Sequence, residues 1–279
     1  MSKSLTLLNG CLFIFLLLVL SPLQAQEEPG SKKLRKVEKK RARLERKLSK
    51  ERFLHIGYVG TWNIIQDTKM ARNIYQGPGF RLQVMESARS EKDFFQWGIR
   101  GGGIIGNPPS EESTLLGILA DGGVSYLRRI RKDDPKNIMY VGAYAQFLYA
   151  YRLNNSLGNS ALNWDMVGSV GPEFKWLRNI RLFRQDMRLE YDLKVPLLSY
   201  VRRYPGFSIG FEGADNFFSP VGVFTQIQSQ ISLVKRLGRR TDNKLAFSYE
   251  WNLYDFQEDD IHSLGVAYHG LGVTLLIDL

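Results

Sequence analysis

Cysteine is almost absent from this chain of 279 residues: the single one is Cys11, and nothing after it can form a disulfide or a thiolate metal site. Histidine is nearly as scarce. His55, His262 and His269 are the only three, and no two stand at metal-ligand spacing, so no metal is expected. Long apolar runs are missing too. The most apolar stretch, residues 11–20, is about half of the roughly 20 residues that a spanning helix needs. Lys3 before it and Ser21-Pro22-Leu23-Gln24-Ala25 after it give residues 1–25 the layout of a secretory signal peptide cleaved after Ala25. Leu8-Asn9-Gly10-Cys11 has the residue types of a lipoprotein box, but the apolar core follows the cysteine instead of preceding it, which argues against lipidation.

Charge is abundant but concentrated. The formal net charge is +10, and residues 31–52 hold 12 Lys and Arg against Glu38, Glu45 and Glu51, which leaves residues 53–279 nearly neutral. A basic chain ordinarily points to nucleic acid. Here the excess sits in one short arm of an exported chain, so no nucleic-acid partner is expected. The arm, residues 26–52, has no Gly or Pro after Gly30 and spaces Leu34, Val37, Leu44 and Leu48 as a helix would, with Arg41 interrupting the stripe. A helix over residues 31–52 would be about 33 Å long. It reads either as a solvated tether or as a docking helix that presents Lys36, Lys40, Arg43 and Lys47 to an anionic partner.

Beyond the arm, apolar and polar residues alternate. In residues 186–197, Met187, Leu189, Tyr191, Leu193, Val195 and Leu197 share one face, and Asp186, Arg188, Glu190, Asp192 and Lys194 share the other. One face suits hydrocarbon and the other water, as along a membrane β-strand. Similar patterns predict about ten strands, over residues 53–65, 79–89, 93–106, 114–130, 138–153, 161–177, 186–197, 221–233, 244–254 and 263–279. A short alternation at Phe207, Ile209 and Phe211 would raise the count to twelve. The last segment changes phase between Tyr268 and Leu271, which predicts a bulge at His269-Gly270. The inward set comprises Arg81, Arg100, Asp165, Glu173, Lys175, Arg188, Glu190, Asp192, Lys194 and Glu250, a mixture of signs suited to mutual pairing inside a narrow lumen.

The alternation that ends in Leu279 resembles the C-terminal targeting signal of outer-membrane barrel proteins, and the whole pattern resembles the general family of Gram-negative outer-membrane β-barrels. A mature N-terminal Gln26 resembles Bacteroidota exports. The resemblance implies an all-β fold: a closed antiparallel transmembrane β-barrel over residues 53–279, in contact with outer-membrane lipid and handled by the barrel-assembly machinery during biogenesis. Connections at residues 90–92, 131–137, 178–185 and 236–243 are mostly short and basic, whereas those at 66–78, 107–113, 154–160, 199–220 and 255–262 are on balance longer. Longer loops belong outside, which places both termini on the periplasmic side.

Chemistry is harder to find. His262 lies beside Glu258, Asp259 and Asp260, and Glu212 and Asp215 lie in the 199–220 connection, residue types similar to those of the omptin-type surface proteases, which are ten-stranded barrels. His262, Asp259 and Asp260 are therefore the catalytic candidates for a surface protease, and His262 that for a lipid hydrolase. His262 and Ser263 are adjacent, however, and neighbours on a strand point to opposite faces. His55 has no evident nucleophile at matching depth. Gly101-Gly102-Gly103 opens no helix, so it is no phosphate loop and no cofactor is expected. The sequence favours a non-enzymatic structural, binding or assembly component that docks a periplasmic protein complex or envelope polymer through its arm. Tyr204, Phe207 and Phe211 in the 199–220 connection offer a second contact surface. A surface enzyme and a narrow small-solute channel are the alternatives.

Overall fold

The computed structural model describes residues 51–68, 70, 73–110, 113–130, 136–155, 162–182, 184–204, 215–220, 224–238, 242–257 and 263–279. Residues 1–25, expected as a signal peptide, and residues 26–50 of the expected arm lie outside the described residues, as do Phe207, Phe211, Asp259, Asp260 and His262.

Twelve strand segments form the wall: β1 (Glu51–Asp67), β2 (Ile74–Arg89), β3 (Asp93–Gly106), β4 (Leu115–Arg129), β5 (Asn137–Asn154), β6 (Leu162–Leu182), β7 (Gln185–Lys194), β8 (Leu198–Tyr204), β9 (Asp215–Pro220), β10 (Phe224–Arg236), β11 (Lys244–Gln257) and β12 (Ser263–Asp278). β1 to β7 pair antiparallel in sequence order, β7 pairs with β10, and β10, β11 and β12 follow in order. β12 pairs with β1 and β5 with β6, so the ring closes. β6, at 21 residues, pairs with β7 along residues 173–182 and with β8 along residues 164–170. β7 and β8 therefore share one strand position. β9 lies against β8 and β10 against β7, making the next. Twelve segments occupy ten positions, and the protein is a closed ten-stranded antiparallel barrel.

The register sets its girth. Stepping through paired residues from Asn63 (Tyr268, Asn252, Gln228, Lys194, Glu173, Gly142, Leu127, Phe94, Arg89) returns to β1 at Glu51, twelve residues from the start. Twelve residues at about 3.3 Å each, set against ten strands at about 4.8 Å, tilt the strands by about 40°. The backbone radius is then about 10 Å, narrow enough for side chains from opposite walls to meet.

Alternation assigns the faces. Ile56, Tyr58, Leu82, Ile99, Ile118 and Leu271 point outward and are exposed, Leu271 by 72%. Exposed aromatic residues are spread along this apolar belt, with Phe95, Trp97 and Tyr126 nearer the end that holds Glu51 and Leu279, Tyr58 and Phe247 in its middle, and Trp62 and Tyr200 towards the other end. We call these the terminal end and the far end. Across the pleat, Asn63, Arg81, Gln83, Asp121, Asp165 and Glu250 are buried in the interior.

Four departures from the sequence reading have physical causes. β1 opens at Glu51, inside the segment expected as arm, because Glu51 and Arg52 pair with Arg89 and Ala88. There is no bulge at His269-Gly270: β12 keeps one register with both neighbours from Leu264 to Leu276. Leu264, Val266 and Tyr268 point inward like Gly270 and Thr274, so the phase change records an apolar far end of the lumen. A bulge exists elsewhere. Glu173 faces Lys194 and Val170 faces Leu198, so residues 195–197 oppose only 171–172, with Leu197 N–H still donating to Val170 O at 2.9 Å. Gly171 makes room, since a Cβ there would meet Val195 O at 2.1 Å. Finally, residues 199–204 and 215–220, read as loop, are strand, and Tyr204 is paired with Trp164 on the wall. They extend existing positions, so the count stays at ten. Likewise residues 178–182, read as turn, prolong β6.

The glycine run of β3 permits backbone contact. A Cβ on Gly102 would lie 1.8 Å from Phe80 O, whereas one on Gly168 would meet nothing within 4 Å. Gly102→Val is expected to abolish the folded barrel while Gly168→Ala leaves it intact. Circular dichroism and thermal unfolding in detergent check both, and a stable Gly102→Val barrel would contradict the packing described.

Candidate functional site

The interior is built in three tiers. At the far end, Asp67 of β1 and Asp165 of β6 face Arg152 of β5 and Arg203 of β8. Arg203 donates to Asp67 and Arg152 to Asp165 through short contacts, and the crossed pairs, Arg152 to Asp67 and Arg203 to Asp165, are both 3.3 Å. Each aspartate thus serves both arginines, and Asn163 Nδ2 donates to Asp67 Oδ2 at 3.1 Å. No side chain of this quartet is more than 3% exposed. Around it Ile65, Leu115, Leu148, Phe224, Phe256 and Leu264 belong to one apolar cluster. Desolvated charges are tolerable only when paired and hydrogen-bonded, and here two of each sign cancel.

The middle tier is polar. Asp121 of β4 accepts from Arg81 Nη2 at 2.7 Å and from Arg100 Nε at 2.7 Å, while both arginines stand 3.8 Å from Glu250 of β11. Arg81 also donates to the Tyr268 hydroxyl and lies 4.7 Å from the centre of that ring. On the opposite wall the register sets Glu173 against Lys194 and Lys175 against Asp192, giving ion pairs of 3.7 and 2.5 Å. Gln228 Nε2 donates to Gln146 Oε1 at 2.7 Å, joining β10 to β5 across the lumen. A cavity of about 90 Å³ lies among Arg100, Asp121, Lys175, Asp192 and Glu250. At about 30 Å³ per water it has room for roughly three waters.

The third tier, towards the terminal end, has a cavity of about 70 Å³ lined by His55, Ser87, Lys175, Arg188, Glu190 and Asp192. Arg188 is held by Glu190 at 2.5 Å. Two small apolar groups border it, Phe53 with Val234, Ala246 and Leu276, and Phe94 with Leu127, Tyr140 and Leu177.

All ten residues of the inward set lie on the lumen side, and the structure divides them between the three tiers: Asp165 at the far end, Arg81, Arg100, Glu250, Glu173, Lys175, Asp192 and Lys194 in the middle, Arg188 and Glu190 towards the terminal end. Sequence reasoning missed Asp67, Asp121, Arg152 and Arg203. Arg152 shares the parity of Tyr140, Tyr144 and Leu148, which marks it as inward; Asp67 falls in a segment whose pattern predicts a loop, and Arg203 follows the bulge that reverses parity. Sequence reasoning also left His55 without a nucleophile. Its Nε2 stands 2.7 Å from Ser87 Oγ on the neighbouring strand, a diagonal contact that strand pairing alone reveals. Among the described residues no hydrogen-bonded carboxylate orients the imidazole, so a Ser–His relay in the sense of a triad is incomplete there. His269, by contrast, faces outward and contacts the Tyr249 hydroxyl at 2.6 Å, between Trp62 and Trp251 in the register. Among the described residues no three His, Cys, Asp or Glu are grouped to hold a metal ion.

The features so far define a class: a ten-stranded closed barrel with an apolar exterior and a charge-paired interior. No protein-family model matches the chain, and no curated protein matches its sequence. Among solved structures it is similar to the outer membrane protease OmpT from Escherichia coli, at 7% identity and a TM-score of 0.47, covering 82% of this chain and 96% of that one. It is also similar to the translocator domain of the autotransporter NalP from Neisseria meningitidis, at 9% identity and a TM-score of 0.38, covering 84% and 95%. A monoaromatic hydrocarbon channel, TodX, follows at 8% identity and a TM-score of 0.26, covering 83% and 90%. At these scores none of the three transfers an activity to this chain.

Removing one member of the far-end quartet strands a buried opposite charge, which costs about 3–5 kcal/mol. Arg203→Gln is therefore expected to lower stability by that amount, and Arg128→Gln, on the outer face, by less than about 0.5 kcal/mol. Urea unfolding in detergent measures both, and equal effects would show that the quartet contributes nothing special.

Proposed function

We propose that the protein is an outer-membrane barrel that serves as a membrane-seated binding or assembly component, with both termini on the periplasmic side, and that it is not a conduit. The observation that carries this reading is the filled lumen. At the far end a neutral charge quartet, none of whose side chains is more than 3% exposed, sits inside an apolar cluster. A channel needs a wet, weakly binding path; here the middle-tier charges are set against opposite charges on nearby strands. The outward apolar belt matches a bilayer core in kind. An exterior this apolar would promote aggregation in water.

The binding role falls to the basic arm, which carries most of the excess charge and directly precedes the strand that opens at the terminal end. Its chemistry suits an acidic protein or an anionic envelope polymer. The enzyme alternative rests on His262, outside the described residues, and gains no support from the incomplete Ser87–His55 pair.

Two measurements test the reading. Purified protein in a planar bilayer is expected to give no regular conductance steps, and large uniform steps would refute the sealed lumen. A partner that co-purifies at near-equal amount from gently solubilised outer membranes is expected to disappear when residues 31–50 are deleted, a deletion that leaves β1 whole. A partner retained without the arm would move the binding role to the barrel.

A further inference from the structure

The terminal mouth of the lumen opens into a cavity of about 530 Å³ lined by Lys136, Arg181, Arg188, Arg236 and Lys244, with Asp186 as its one lining carboxylate. From this vestibule we infer a binding site for a phosphate-type oxyanion carried by a soluble ligand. The inference rests on the membrane-seated reading only for which compartment the vestibule faces.

Three observations carry it. First, Arg236 and Lys244 are directly opposed in the register of β10 and β11 and stand on the same face, the lumen face that Val234 and Ala246 continue. Like charges so placed repel. Their neighbours relieve this only in part: Arg236 turns to the exposed Asp242, and Lys244 reaches Glu51 at 3.7 Å, a carboxylate already held by Arg89 at 2.7 Å. Second, Arg181 has no ion pair or hydrogen bond from its guanidinium among the described residues, although Asp186 is its register partner. An exposed guanidinium fork aimed into a cation-lined cavity is a ready bidentate donor for phosphate. Third, the volume lies within the range of small-ligand pockets, roughly 300–1,000 Å³, while the two cavities deeper in the lumen have room for only a few waters. The ligand is held at the mouth.

The pleat identifies its source. Arg52, Arg128, Arg178 and Lys235 at the same end point outward, where extended side chains can meet lipid phosphates. The vestibule cations stand on the inner face and are turned away from the bilayer. Their ligand comes from solution, and the two cation sets are separable by mutation.

The test titrates inorganic pyrophosphate into the full chain in neutral detergent at low salt, by isothermal calorimetry. One saturable site per chain is expected. Arg181→Gln with Arg236→Gln should weaken it at least tenfold, whereas Arg128→Gln with Arg178→Gln should leave it unchanged. Should the first double variant not fold, Arg236→Gln alone, at an exposed position, should weaken binding at least threefold. Adding phosphatidylglycerol to the micelles should not compete. The absence of saturable binding overturns the proposal, as does equal loss in the outward variant or competition by the lipid. Undiminished binding in the inward variants would assign the anion to the arm and overturn it equally. None of these readouts depends on conductance or on the arm's partner, so failure here leaves the membrane-seated reading to its own tests.

Discussion

Closure of the hydrogen-bond ladder between β1 and β12 is the constraint on which everything else depends. Once ten strands close with a twelve-residue offset, the radius is fixed at about 10 Å. That circle is too narrow for an unobstructed pore lined by long side chains and too wide to be left empty. The interior therefore has to be filled, and it is filled by apolar clusters towards its two ends and by charged and polar networks among and between them. Facing strands supply opposite signs at matched heights, as Lys175 and Asp192 do, so the lumen becomes a set of neutral networks instead of a field that would draw ions through.

Much of this was legible in the alternation. β3 has the bounds that the sequence predicts, and the faces of β7 and β11 follow directly from period two. Polar residues mark the lumen and apolar residues the lipid face only where the lumen is itself polar. At the far end the lumen itself is apolar, so Leu115, Leu119 and Val266 blur the pattern of β4 and β12 and invite a bulge that does not exist. The real bulge at residues 195–197 leaves no mark in composition except Pro196 and Gly171, yet it reverses parity and turns Arg203 inward. Charged ends mislead in another way. Arg178 and Arg181 look like turn residues, but they continue β6 and contribute one cation to each face.

The candidate site was less legible than the fold because it depends on what crosses the lumen. Which strands adjoin can be inferred from order; which side chains meet across ten strands depends on offset and height. Asp67 meeting Arg203 is such a contact, joining residues 136 positions apart. His55 and Ser87 show the same limit on adjacent strands, since their contact is diagonal and requires the register to be known.

The pairing of the first strand with the last also has a temporal meaning. Phe53 faces Asp278, so the two ends of the ring come from opposite ends of the chain. Contacts at such separation form late, after the cost of closing a very long loop has been met. Until β12 arrives, β1 presents an unpaired edge of hydrogen-bonding groups that would accept any other strand. The wall can thus grow hairpin by hairpin, but the barrel exists only at its final step, when the edge of β1 is taken up by β12.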